Sequence, residues 1–223
     1  MTDIVKAAHR QEMDRSTPRK LHGAYHHGDL REALLQAAMQ AAEHGGQDAV
    51  SFSALARTLG VSQAAPYRHF ADRGALLTEL GERGFQALGE AIRAALAADT
   101  ARSRLGRLAH AYKDFGLERP GLYQVMFASG IMPVADPGGP LKLAAKACFD
   151  LMLETLHPGL EEVARRSFGL KIWASVHGIV TMVEQGLLPP PANQGITVAS
   201  LIDGLVVDLE VAMETATANR ARA

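Results

Sequence analysis

One cysteine, Cys148, and one tryptophan, Trp173, stand in a chain of 223 residues, and aromatic side chains make up only 5% of it. A lone thiol forms no internal disulfide and no cysteine metal cluster, which excludes a disulfide-stapled scaffold and a zinc finger and suits a reducing compartment. Charge of one sign is missing too. With 23 Lys+Arg against 24 Asp+Glu, any affinity for nucleic acid must come from a local patch. The apolar stretches are broken by His177, Asp203 or Asp208 well short of a membrane span, and residues 1–24 carry Asp3, His9, Arg10, Glu12, Asp14 and Arg15 in place of an apolar leader. No membrane partner is expected, and the chain reads as cytoplasmic. Period-2 strand patterning and internal repeats are absent as well. What is present is a 48% hydrophobic chain, long enough for one domain of average size plus a smaller one.

That hydrophobic content falls at helical spacing. Residues 1–24 are too polar and irregular to order themselves and read as a flexible basic arm. The Asp29-Leu30-Arg31-Glu32 sequence has capping-box spacing and predicts a helix near 29–44, ended by His44-Gly45-Gly46. Ser51 caps a short helix ended by Gly60, Ser62 caps a third helix through Phe70, and Asp72 caps a longer one to about 97. Further helices are predicted near 101–117, 119–131 and 139–156, separated by proline and glycine. Pro158 opens the longest, about 159–187 or on the order of 43 Å, and a last helix follows Pro189-Pro190-Pro191.

Two short helices joined by Leu59-Gly60-Val61-Ser62 form the layout of a helix-turn-helix, whose second helix enters the major groove. Ser62, Gln63, Tyr67, Arg68 and His69 gather donors at that helix. Arg57, Arg68 and Arg73 face Asp72 alone in 57–73, and Arg15, Arg19, Lys20 and Arg31 face Asp29 alone in 15–31, so two basic segments flank one surface. Gln63 suits adenine, Arg68 guanine, and the methyl groups of Ala64 and Ala65 suit thymine. Tyr25, His26 and His27, with His22, lack carboxylate or thiolate support for a metal, so they read as DNA-proximal contacts or plain surface.

Residues 25–80 resemble the tetracycline-repressor (TetR) family of bacterial transcriptional regulators. The carrying motifs are Ser51-Phe52-Ser53-Ala54-Leu55-Ala56, Leu59-Gly60-Val61-Ser62, Ala65-Pro66-Tyr67-Arg68-His69-Phe70, Asp72-Arg73 and Leu76-Leu77. Trp173-Ala-Ser-Val-His177-Gly178 is similar to the Trp-His-Gly helix of one subgroup. The resemblance implies an all-α protein. A three-helix DNA-binding domain (25–75, with a linking helix to about 97) precedes a larger ligand-binding and dimerisation domain (98–223). It also implies a homodimeric repressor that leaves double-stranded operator DNA when a small effector binds. Carried over by position, Gln63, Ala64 and Ala65 face bases, Tyr67, His69 and Arg73 contact phosphate, and Ser51 caps the preceding helix. Gly74 departs from the common acidic residue. Pro66 inside the recognition helix is either a distortion or a first-turn proline.

The C-terminal half offers Tyr112, Phe115, Tyr123, Met126, Phe127, Met132, Phe149, Met152 and Trp173 as either plain core or the lining of a site for a largely apolar effector, with His177 as its polar contact. Gly178 suggests close approach of another helix or a ligand. Ile172, Val176 and Val183 on the long helix, with Leu201, Leu205 and Leu209 on the last, are the expected dimer seam. A small helical enzyme using His177 with Glu184 or His110 lacks any nucleophile motif, phosphate loop or metal triad, so no catalysis, metal or cofactor is expected. A DNA-binding regulator without an effector is the other alternative.

Overall fold

The computed structural model describes residues 27–188 and 195–221, and these are helices and connecting turns without a strand. The arm at 1–24 and the His22, Tyr25 and His26 part of the histidine cluster lie outside the described residues.

Three helical pieces form the N-terminal unit. Helix α1 (His27–Gly45) starts two residues ahead of the expected Asp29 cap. Its inward Leu34, Leu35, Ala38 and Ala42 are fully buried. Helix α2 (Phe52–Leu59) begins as the sequence predicts, with the Ser51 hydroxyl accepting the Ala54 N–H at 3.3 Å and Gly60 ending it in the left-handed region at φ 66°. Helix α3 (Arg73–Ala97) is capped by Asp72, which accepts the Ala75 N–H at 2.7 Å. At 25 residues it is the longest of the described helices, because the one expected to hold that place is shorter than predicted.

The larger unit contains α4 (Arg104–Glu118), α5 (Pro120–Ala128), the single turn α6 (Ile131–Val134), α7 (Pro140–Glu154), α8 (Glu162–Glu184) and α9 (Val198–Ala221). Pro158 does not open α8; residues 157–161 form turns, and Glu161 is the cap position. α3 packs against α4, α5 and α7, α4 packs against α8 and α9, and α1 reaches across to α5. One continuous apolar core therefore runs through both units.

The contact of α1 with α5 is a backbone approach. A Cβ on Gly121 would lie 2.0 Å from the Ala42 carbonyl oxygen, so only glycine fits there. At the same joint the Glu43 carboxylate accepts the N–H groups of Gly121 and Leu122 at 3.1 and 3.2 Å, capping α5 from another element. No described helix is long and apolar enough to cross a membrane.

Candidate DNA-reading face and internal cavity

The segment expected as a third α-helix from Ser62 to Phe70 folds otherwise. A turn at Gln63-Ala64 leads into a single 3-10 turn, Pro66–Arg68. Pro66 has no N–H to offer the Ser62 carbonyl, which instead accepts from Ala65 at 2.9 Å, and the Ala65 carbonyl accepts from Arg68 at 3.2 Å. The proline thus tightens the reader at its first position. Phe70, 4% exposed beneath an Arg31 guanidinium 5.0 Å from its ring centroid, and buried Pro66 anchor the turn to the core.

This backbone sorts the expected DNA-contacting residues. Ser62, Gln63, Ala64 and Arg68 are exposed, and His69 is half-buried. Tyr67 is 63% exposed and stands edge-on to Phe52 with ring centroids 4.8 Å apart. Ala65 is corrected: at 8% exposure its methyl group packs inward and cannot face a base. Ser51 is half-buried and spent as the α2 cap. Arg73, expected as a phosphate ligand, donates Nε to the Val50 carbonyl at 2.7 Å and an Nη to the Gln47 carbonyl, so it ties the start of α3 to the turn before α2.

A second tie joins the flanks of this face. Arg83 on α3 makes a two-pronged bond to Glu32 on α1, with both distances 2.7 Å, and Arg31 pairs with Glu79. The hydrogen bond from Arg83 holds the Glu32 carboxyl down at about 2.

Behind the reader, a cavity of about 220 Å³ lies between α3, α4, α5, α7 and α8. Tyr112, Phe127, Phe149, Met152 and Trp173 line it as the sequence suggested. Met132 lines it too; Phe85, Leu88 and Ile92 of α3, with Ala145 and Cys148, complete the wall and were not among the expected lining. Their spacing along α3 was visible, but which face of that helix meets a void depends on the helices around it. Four expected members lie elsewhere. Met126 is fully buried against the Gly84 position of α3, Phe115 lines an outer groove between α3 and α4, and Tyr123 and His177 pair with each other beside the Tyr112 hydroxyl, so that two tyrosines and the histidine meet.

Those tyrosines form a buried polar cluster. His177 Nδ1 lies 2.5 Å from the Tyr123 hydroxyl and 3.2 Å from that of Tyr112, the two hydroxyls are 3.3 Å apart, and Trp173 Nε1 donates to Tyr112 at 3.2 Å. Burial lowers the pKa of His177. Burial also pushes Tyr112 up to about 12 and the Cys148 thiol up to about 11. The Cys148 Sγ–H donates to the Phe85 carbonyl at 3.0 Å. His110, one of the two partners weighed for His177 in acid–base work, instead places its Nε2 2.7 Å from the Asp203 carboxylate of α9.

A model of the tetR family of bacterial regulatory proteins matches residues 34–80, and a tetracyclin repressor-like C-terminal domain matches residues 105–205, together more than half of the chain. The chain belongs to the tetracycline-repressor family. An uncharacterised HTH-type transcriptional regulator, YobS of Bacillus subtilis, is 31% identical over 97 residues, 44% of this chain and 51% of the relative, so the match spans about half the length of that curated protein. A solved structure of a protein of unknown function from a Rhodococcus species is 32% identical with a TM-score of 0.69, covering 86% of this chain and 98% of the other. The TetR-family regulator PfmR of Thermus thermophilus shares the fold at 19% identity and a TM-score of 0.56, over 79% of this chain and 96% of its own. Within the TetR family the matched N-terminal segment contains the whole reader described above, and the C-terminal match contains most of the cavity wall.

The expected dimer seam is corrected by burial. Ile172 and Val176 are 0% and 2% exposed inside the protomer, with no surface left for a partner. Val183, Leu201, Leu205 and Leu209 are half-buried. The large apolar side chains left outside on these helices are Val163, Leu170 and Met182 of α8 and Val207 and Val211 of α9, 40–73% exposed. Gly178 and Gly204 share these helices, and nothing in the protomer would meet a Cβ on either.

Proposed function

We propose that this protein is a homodimeric transcriptional repressor that binds double-stranded operator DNA through Gln63, Ala64, Tyr67, Arg68 and His69 and leaves it when a small, largely apolar molecule fills the cavity. One observation carries the reading: α3 is fixed to the reader at Arg73 and lines the cavity with Phe85, Leu88 and Ile92. A ligand that displaces the middle of that helix moves the reader at its start. Release requires different affinities for the DNA-competent and DNA-incompetent dimers, since equal affinity shifts nothing.

The partner is a second copy of the chain. Leu170, Met182, Val207 and Val211 form an apolar face on α8 and α9, and Gly178 and Gly204 admit a close helix. Two readers then address successive major grooves roughly 34–36 Å apart or a longer helical-phase equivalent. Val207→Glu together with Val211→Glu is expected to give a monomer in sedimentation that no longer binds operator. Selection of bound DNA from a random pool tests the whole reading. A two-fold symmetric site is expected, and Gln63→Ala should relax preference at one base pair by about 1–3 kcal/mol. Recovery of no preferred sequence by a folded dimer would refute it. The family is one of regulators, and the His110 and His177 contacts support structural roles in place of acid–base chemistry.

A further inference from the structure

The polar contact of the effector site is assigned by the sequence to His177, yet Tyr112 stands at the cavity wall and His177 behind it. Among the described residues, none that lines the cavity carries a charge. The other polar hydrogens of the wall are already committed, Trp173 Nε1–H to the Tyr112 oxygen and Cys148 Sγ–H to the Phe85 carbonyl. Tyr112 is different. Tyr123 pairs with His177 Nδ1 at 2.5 Å, the shortest contact of the cluster. The Tyr112 O–H is left with contacts of 3.2 and 3.3 Å, the long end of an O–H bond, and so remains a donor that a ligand oxygen can take.

Size is fixed by the void. A cavity of 150 Å³ takes benzene, so by simple scaling 220 Å³ takes about nine non-hydrogen atoms. Phe85, Phe127, Phe149 and Trp173 supply flat faces for such a molecule. An anion or a cation would enter without a counter-charge and lose its hydration.

We infer that the cavity selects an uncharged, compact ring compound of about nine or ten non-hydrogen atoms carrying one acceptor oxygen, a cyclic or aromatic ketone, aldehyde or ether, and that Tyr112 is the residue that reads that oxygen. The inference rests on the effector reading above for the choice of site, and it specifies the ligand's chemistry. Tyr123 and His177 act as positioning residues, because they hold the short hydrogen bond that leaves the Tyr112 proton free.

The single tryptophan, on the cavity wall, makes the test direct on the full chain. Its fluorescence is followed during titration with 1-indanone, with indane as the same skeleton lacking the oxygen, and with phenylacetate and protonated 1-aminoindane as charged compounds of the same size. Indanone is expected to bind about fivefold or more tighter than indane, the size of one neutral hydrogen bond, and the charged pair to bind weakest. Tyr112→Phe should reduce the indanone preference to within about twofold while leaving indane affinity unchanged. Ala145→Phe, on the α7 wall, should abolish binding of both by filling the void, and it keeps the test open if Tyr112→Phe does not fold. Equal binding of indanone and indane by the natural chain, an indanone preference that survives in folded Tyr112→Phe, tightest binding of either ion, or no binding of any probe overturns the proposal. Operator release is measured separately. Indanone binding that leaves an operator complex intact upholds the cavity's selectivity and refutes only the effector reading.

Discussion

The reader and the cavity put their polar groups to opposite use. On the reader, Gln63, Tyr67 and Arg68 project into solvent from a backbone held by local caps, and their hydrogen-bonding capacity is left over for a partner. Around the cavity, Tyr112, Tyr123, Trp173 and His177 hydrogen-bond to one another, so little capacity remains. A surface that reads a charged polymer needs many solvated contacts, whereas a void that reads a small neutral molecule needs few, each made costly to leave unpaired.

The joint between the two halves is where this contrast breaks most easily. Gly121→Ala places a Cβ against the Ala42 carbonyl, and neither backbone can give way without separating α1 from α5. A loss of about 3 kcal/mol in urea unfolding is expected, at the upper end for overpacking. Unchanged stability would mean that the two units are not tightly joined there.

Arg73 sharpens the comparison from the reader's side. Because its guanidinium holds the Val50 and Gln47 carbonyls, Arg73→Ala is expected to destabilise the reader by about 1.5–3 kcal/mol, as for hydrogen bonds to a charged group. Weakened operator binding then follows from lost geometry. A variant of native stability whose salt dependence falls by about one phosphate contact would restore Arg73 as a phosphate ligand.

The smallest expected effect is electrostatic. Burial, with the Glu43 carboxylate nearby, pushes Glu184 of α8 up to about 7, and its Oε1 has no hydrogen-bond partner among the described residues. A raised carboxyl pKa means that the folded chain holds a proton the unfolded chain releases, so this contribution is complete below about 4.5 and is lost as the pH rises through 7. Glu184→Gln is expected to flatten melting temperature against pH over that interval. An unchanged slope would place the titration on another group.

Legibility in the sequence followed the range of the interaction. Ser51, Gly60 and Asp72 each act on a backbone group within a few residues, and each was read where the structure has it. The Asp29 cap failed because α1 begins earlier, and the 62–70 helix failed because one missing N–H at Pro66 outweighed the spacing around it. Six cavity residues were anticipated from their aromatic and methionine character alone. The α3 wall was not, since its apolar positions look the same whether they meet side chains or space.

By itself the sequence determined the all-helical class, the boundaries set by Ser51, Gly60 and Asp72, and the exposed polar residues of the reader, because those depend on local hydrogen bonds and on hydrophobic period. Only the tertiary structure decided that Ile172 and Val176 face inward while Val207 and Val211 face out, that Arg73 clasps the reader, and that Tyr112 stands in front of His177. An apolar helix position records that it will be covered. What covers it, another helix of the same chain, a second copy or a ligand, is set by packing between segments far apart in sequence, and no local pattern encodes that choice.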